Sequence, residues 1–354
     1  MRQVVVGSAE DIRVDEVPRP GPPGPGQVLV ASRLVGICGT DVHAAAGHHP
    51  FIDRPYRPGH EVVGVVERVG EGVSDLAPGD RVVLEPNLAC GTCRQCRAGR
   101  YNICRELAVF GCQTPGGMAD AFVVDRDRLH AVPAGMSDEL AALVEPLATP
   151  VHAVRTAGVR AGSRVAVLGA GPIGLLVLVA ARAAGAEVVV VTDVLGEKLE
   201  RARRLGADEA LRADAPDLVE RAAAVLRGAD VVFDCVSSAS SMAQAVELVD
   251  KGGTVVVVGI AAGPTSIPLH LVQDREITVV GSLMYVREDV ERAIALLSTG
   301  VVAADDLVTA VFPLERAAEA FAASADPRQV KVLVSVRPQL RGGRSAGPAP
   351  RRRG

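Results

Sequence analysis

The sequence predicts an α/β protein in two parts: an irregular β-rich region of barrel type, followed by a doubly wound parallel sheet. Three observations carry this. Before about Pro146, short β-branched runs are interrupted by Gly, Pro and Asp. After it, apolar strands alternate with helix-period segments. The chain, at 354 residues, is long enough for two domains with separate cores.

In order, residues 28–30, 62–69, 81–84 and 121–124 read as strands. The punctuation between them includes 18–26 and Ala77-Pro78-Gly79-Asp80. Residues 164–168 are an apolar strand, and a helix-period run starts at Pro172. A strand follows at 187–192, then a helix through 198–205, then buried strands at 231–233 and 254–258. Strand–helix alternation of this kind indicates a parallel sheet covered on both faces. Beyond Met284 a helix is expected at 287–297 and a last strand at 330–336, returning to the first domain. The expected divisions are 1–147, 148–284 and 285–336, with 337–354 a disordered basic tail rich in Arg, Gly and Pro. No internal repeat is visible.

Composition narrows the function. With 48% hydrophobic and 23% charged residues the chain is globular, and a net charge of −4 gives nucleic acid or an acidic membrane no foothold. The opening MRQVVVGSAEDIRVDEV lacks the basic and apolar regions of a secretory signal. The longest apolar stretch, 173–181, is too short to span a bilayer and stops at Arg182. A cytoplasmic protein is expected, with its seven cysteines reduced.

The motif Gly169-Ala170-Gly171-Pro172-Ile173-Gly174 follows a strand and opens a helix. Glycines there permit a tight turn and close approach of a pyrophosphate to the free N–H groups of the helix start. A dinucleotide fold wants an acid about 20 residues further on, to bind the ribose hydroxyls. Asp193, after Val188-Val189-Val190-Val191-Thr192, meets that need. Its carboxylate would repel a 2′-phosphate, so NAD is expected over NADP.

Cys90, Cys93 and Cys96, completed by Cys104, can close a tetrahedron around zinc with no open position, which makes a structural site. Disulfides are disfavoured by the compartment, and free thiols rarely occur at this density. A third set is dispersed: Cys38, His60-Glu61 and Glu145. Singly, each has an ordinary reading, as a small core residue, a satisfied buried histidine or a helix-end charge.

Together these motifs resemble the zinc-containing medium-chain dehydrogenases, in the branch with sorbitol, butanediol and threonine dehydrogenases. The landmarks are GICGTDVH (36–43), GHE (59–61), the four-cysteine loop, VEPLA (144–148), GAGPIG (169–174) and TD (192–193). The resemblance implies a Rossmann domain set between two stretches of a GroES-like β-rich catalytic domain. It implies a second, catalytic zinc on Cys38 and His60, with Glu61 and Glu145 as acidic ligands alternating with water. That zinc acts as a Lewis acid on the alcohol while hydride passes to the nicotinamide. Thr40 and His43 would carry the proton out. Further coenzyme contacts carried over are Ile173, Lys198, the backbone of Val258-Gly259-Ile260, and that of Ser282-Leu283-Met284.

Glu145 stands where the two-cysteine alcohol dehydrogenases have their second thiolate, which points to a secondary alcohol, diol or polyol and away from ethanol. Met284 precedes Tyr285 where sorbitol dehydrogenases commonly have arginine. Tyr56 and Tyr285 are candidate substrate residues, with His48, His49 and Phe51 of the 47–57 loop beside them. The expected partner is a small-molecule alcohol, in a homo-oligomer (dimer or tetramer). The alternatives are an L-threonine 3-dehydrogenase and, from another class, an inactive NAD-binding sensor or structural protein. The presence of all the ligand and relay residues disfavours the inactive protein.

Overall fold

Strands form where β-branched residues alternate, and they break where glycine and proline punctuate. The computed structural model describes residues 1–261 and 263–337. The first region runs β1 (Arg2–Val6), β2 (Ile12–Glu16), β3 (Gln27–Ile37), α1 (Gly39–Ala45), β4 (Glu61–Val69), β5 (Arg81–Leu84) and β6 (Asn87–Leu88). It continues with α2 (Arg94–Arg97), β7 (Ala108–Val109), β8 (Ala121–Asp125), β9 (Leu129–Ala131), α3 (Asp138–Ala141) and α4 (Val144–Thr156). The second region runs β10 (Arg164–Leu168), α5 (Pro172–Ala183), β11 (Val188–Asp193), α6 (Gly196–Arg204), β12 (Glu209–Arg212), α7 (Leu218–Leu226) and β13 (Ala229–Asp234). It ends with α8 (Ala239–Leu248), β14 (Val249–Val257), α9 (Leu269–Asp274) and β15 (Thr278–Gly281). The chain closes with α10 (Arg287–Ser298), α11 (Ala304–Leu307), β16 (Val308–Pro313), α12 (Ala317–Ser324) and β17 (Lys331–Ser335).

The second region is a six-stranded parallel sheet in the order β12-β11-β10-β13-β14-β15. This is the doubly wound dinucleotide-binding order, and it reverses between β10 and β13. β10 shows the period-2 logic. Val165 and Val167 face one core with α4 and α5, while Ala166 and Leu168 face the other with α7 and α8. Both faces are thus buried, as the unbroken apolar runs required.

The first region is mainly antiparallel, ordered β16-β17-β3-β4-β5-β9, with β8 also on β3. β17 pairs antiparallel with β3, Val332 opposite Ile37, so the last described strand lies in the first sheet. The stretch after Met284 does not go there directly. α10 packs Val290, Ala293 and Leu297 into the core of α4 and α5 first, and the chain rejoins the first sheet only at β16.

Several bounds differ from the sequence reading. β14 starts at Val249, five residues before the expected position, because Asp250-Lys251-Gly252-Gly253 hid it. β12 is a short, half-polar edge strand, and β16 is an edge strand with no buried face, so neither carries a clean alternation. The basic tail expected at 337–354 lies, apart from Arg337, outside the described residues; Arg337 pairs with Glu67 at 2.8 Å. Among the described residues no helix is long and apolar enough to cross a membrane.

Candidate active site and metal centres

The glycine turn sits between β10 and α5 at the carboxyl end of the sheet. Gly169 has φ of 93°, in the left-handed region glycine favours. A Cβ on Gly174 would lie 1.8 Å from the Gly169 carbonyl oxygen, so that position cannot carry a side chain. Gly171 faces open space, and no side chain caps α5. The helix N-terminus therefore keeps free N–H groups directed at an accessible cradle, which fits a pyrophosphate. Asp193 ends β11 and is buried. Its Oδ2 accepts Ala170 N–H at 2.8 Å and its Oδ1 accepts Leu195 N–H at 2.9 Å, tying the glycine turn to the second strand. Ile173 is half-buried at the start of α5 and Lys198 half-buried on α6. Val258, Gly259 and Ile260 follow β14, and Ser282, Leu283 and Met284 follow β15. All lie at the same carboxyl edge as the glycine turn.

The four loop cysteines converge. Sulfur separations are 3.5 Å for Cys93–Cys96 and 4.0 Å for both Cys90–Cys96 and Cys93–Cys104. A zinc tetrahedron with bonds of about 2.3 Å has edges of about 3.8 Å, so these distances fit. Backbone N–H groups point at the sulfurs, from Cys90 to Cys104 at 3.3 Å and from Cys93 to Cys90 at 3.4 Å. Hydrogen bonds from the backbone of Arg105 and Cys96 lower the Cys93 thiol to about 6, while burial and its sulfur neighbours push Cys96 up to about 12. Four thiols this close do not all ionise unless a cation sits among them.

Cys38, His60 and Glu61 bring one ligand atom each within 4.8 Å of one another. Cys38 is the N-cap of α1, and its N–H donates to Asp41 Oδ2 at 3.0 Å. His60 precedes β4. It is buried, and its Nδ1 has no hydrogen-bond partner among the described residues and lies 3.9 Å from Asp41 Oδ2. Burial alone would lower the His60 pKa, yet Asp41 and the sulfurs of Cys112 and Cys38 hold it well above its usual value. The pocket favours positive charge where a metal ligand is expected, and a thiol, an imidazole and a carboxylate form a suitable zinc donor set.

Glu61 is nearly inaccessible, and Lys331 Nζ donates to its two oxygens at 2.6 and 2.8 Å. Burial lowers the Lys331 pKa, but Glu61 and Cys38 more than reverse it. Glu145 is not in the three-ligand group. It lies in the first turn of α4, and its Oε1 accepts the Tyr285 hydroxyl at 2.6 Å. Burial pushes the Glu145 carboxyl up to about 7, with His60 opposing and Glu61 reinforcing the shift. Thr40 and His43 share α1 three residues apart, hence one face. Thr40 is half-buried and His43 exposed.

Both substrate candidates, Tyr56 and Tyr285, are buried. The Tyr56 hydroxyl donates to the Asp41 carbonyl at 3.1 Å and so braces α1. Tyr285 is fully buried with its hydroxyl on Glu145. His48 and Phe51 are exposed, and His49 contacts the Phe51 ring edge. Sequence reasoning missed Lys331, Asp41 and Cys112. Lys331 carried a signal, as the one charge inside an otherwise apolar final strand, VKVLVSV. Cys112 carried none.

Residues 24–134 match the alcohol dehydrogenase GroES-like domain and residues 172–299 the zinc-binding dehydrogenase domain. Sorbitol dehydrogenase of Ovis aries is 37% identical over 344 residues, covering 95% of this chain and 96% of its own. The chain belongs to the zinc-binding alcohol dehydrogenase family. It is an oxidoreductase that acts on CH–OH groups of alcohol or polyol type, with zinc and a nicotinamide coenzyme. Two solved dehydrogenases of this family have closely similar structures. A zinc-binding dehydrogenase from Sinorhizobium meliloti, bound to NADP, has a TM-score of 0.88 at 36% identity, over 94% of this chain and 98% of the other. The 2R,3R-butanediol dehydrogenase from Bacillus subtilis has a TM-score of 0.88 at 32% identity, over 95% and 99%.

Proposed function

We propose that this dehydrogenase oxidises a secondary alcohol carrying a neighbouring hydroxyl, a diol or polyol, to the ketone, with NAD preferred over NADP. The observation that carries this is Glu145, held by the Tyr285 hydroxyl at 2.6 Å beside the Cys38–His60–Glu61 group. A carboxylate leaves the site polar enough for a substrate with two donor oxygens, where a second thiolate would make it tighter and more apolar. The names of the relatives, sorbitol dehydrogenase and butanediol dehydrogenase, agree with this class.

When bound, zinc supplies Lewis-acid polarisation of the alcohol oxygen and the nicotinamide accepts the hydride. Cys38 and His60 would hold that zinc, with Glu61 and Glu145 as the acidic groups, and Cys90, Cys93, Cys96 and Cys104 the structural one. Lys331 neutralises Glu61 and keeps the buried charge near the centre low. Thr40 takes the hydroxyl proton, and His43, exposed on the same face of α1, delivers it to solvent. The free N–H groups of α5 bind the pyrophosphate, and the backbone after β14 and β15 flanks the nicotinamide.

Asp193 supports the NAD preference. Two backbone N–H groups fix its carboxylate in place, and the nearby Arg212 is engaged by Asp214. A 2′-phosphate would meet a fixed like charge. In this reading residues 1–147 and 285–336 form the catalytic portion and 148–284 the coenzyme portion. Exposed Val279 on edge strand β15, with exposed Ile260 and Leu283 nearby, supports a homo-oligomer. Seven unpaired cysteines support a reducing, cytoplasmic location.

The test compares NADH formation from a vicinal diol, the matching simple secondary alcohol, ethanol and L-threonine. The diol should give the highest kcat/KM, and ethanol or threonine leading would overturn the substrate class. Asp193→Ala should narrow the coenzyme preference; equal kcat/KM for NAD and NADP in the wild type would overturn that part.

A further inference from the structure

Met284 has φ of 47°, a left-handed conformation that is costly for a side chain with a Cβ. The carbonyls on either side of it are both held. Asn102 Nδ2 donates to Leu283 O at 2.8 Å, and Asn87 Nδ2 donates to Tyr285 O at 2.8 Å. Both asparagines are buried, at 3% and 0% exposure, and both belong to the stretch that carries the four-cysteine lobe. Each also leaves its own Oδ1 without a partner among the described residues. A buried unpaired acceptor is unfavourable, and an apolar residue would avoid it, so these positions are kept for their donors.

Asn102 is itself fixed. His152 Nε2 lies 3.3 Å from its Nδ2, and His152 Nδ1 lies 2.7 Å from Asp289 Oδ2. With His152 Nδ1–H donating to Asp289, Nε2 is left to accept one Asn102 N–H, and the other N–H is directed at Leu283. Asp289 is anchored in turn by Arg155 Nε at 2.7 Å.

We propose that Asn87 and Asn102 are positioning residues that clamp the strained Met284 turn and so aim two different parts of the active site. Asn102 sets the Ser282–Leu283–Met284 backbone toward the nicotinamide. Asn87 sets Tyr285, whose hydroxyl orients Glu145. The four-cysteine lobe is then a brace for the coenzyme edge as well as a fold staple. This rests on the reading above, that the 282–284 backbone flanks the nicotinamide.

The two halves of the clamp predict different signatures. Asn102→Leu should raise the NADH dissociation constant, read by NADH fluorescence, and the coenzyme KM about tenfold, the size of one lost hydrogen bond, with kcat changed less than twofold. Asn87→Leu should instead lower kcat/KM for the alcohol about tenfold and leave NADH binding near wild type. Glycine adopts the left-handed turn freely, so Met284→Gly added to Asn102→Leu should recover part of the lost coenzyme affinity. Parallel losses of thermal stability and kcat in both variants, with unchanged NADH affinity, would overturn the proposal. Should either variant fail to fold, hydrogen exchange on the wild type decides. NADH should protect amides of 99–104 together with those of 282–286, and protection of 282–286 alone would overturn it. If wild-type protein binds no NADH at all, it is the underlying coenzyme reading that fails.

Discussion

Cys90, Cys93, Cys96 and Cys104 lie within one short loop, the first three half-exposed and Cys104 buried, with backbone amides turned onto their sulfurs. Cys38, His60 and Glu61 come instead from a helix cap and the start of β4, and their neighbours come from much further away. Glu145 is on α4, Tyr285 follows β15, and Lys331 reaches Glu61 across 270 positions of sequence. The loop site can form wherever the loop folds. The second site exists only when these distant parts of the chain pack together. On the proposed reading, structure is thus local at the centre that need only be stable, and dispersed at the centre that would leave room for a substrate and adjust charge.

Removing one ligand from each site is the sharpest way to break this contrast. His60→Ala should cost at least about 10³ in kcat, with the melting temperature little changed and zinc falling from two ions to one. Cys93→Ser should also leave one zinc, but with a large loss of thermal stability, because a structural zinc contributes folding energy directly. Elemental analysis, kinetics and thermal melts read both. Identical profiles for the two variants would erase the distinction.

A smaller effect should come from the buried ion pair. Lys331→Met removes the cation that both oxygens of buried Glu61 accept from, at a cost of about 3–5 kcal/mol. Denaturant unfolding should show that loss, and Lys331→Met combined with Glu61→Gln should recover most of it. No recovery in the double variant would mean that Lys331 acts on something other than Glu61.

The proton path should give the smallest change. Thr40→Val should lower kcat more than KM, because proton removal matters in the transition state. His43→Ala should lower kcat by about 10²-fold at neutral pH and recover partly at high pH, where solvent base replaces it. An unchanged pH profile in His43→Ala would remove this exposed histidine from the path.

An acid-sensitive point lies at Asp289. Burial raises its pKa, but hydrogen bonds from His152 and Arg155 outweigh that and hold it at about 2. Its folded pKa is depressed, so its contribution to stability is present above about pH 4 and is lost as pH falls toward 2. Asp289→Asn should flatten acid unfolding in that window, and an unchanged acid limb would show that this network does not set acid stability.

The sequence by itself determined the parts whose information is local. The glycine turn was legible because φ at Gly169 and the contact at Gly174 admit nothing larger, and the cysteine loop because its ligands are neighbours. The doubly wound sheet followed from apolar runs that must be buried on both faces. The Cys38, His60, Glu61 and Glu145 candidates came into view only as a set, through resemblance, because each residue alone fits an ordinary core or surface role. Tertiary structure decided the rest: that Tyr56 braces Asp41, that Tyr285 holds Glu145, that Lys331 lies on Glu61, and that Asn87 and Asn102 reach the Met284 turn. Each of these is a buried polar contact between residues far apart in the chain. Burial forces such groups to find partners, but which partner is available depends on how the sheets and helices pack, and no local pattern encodes that.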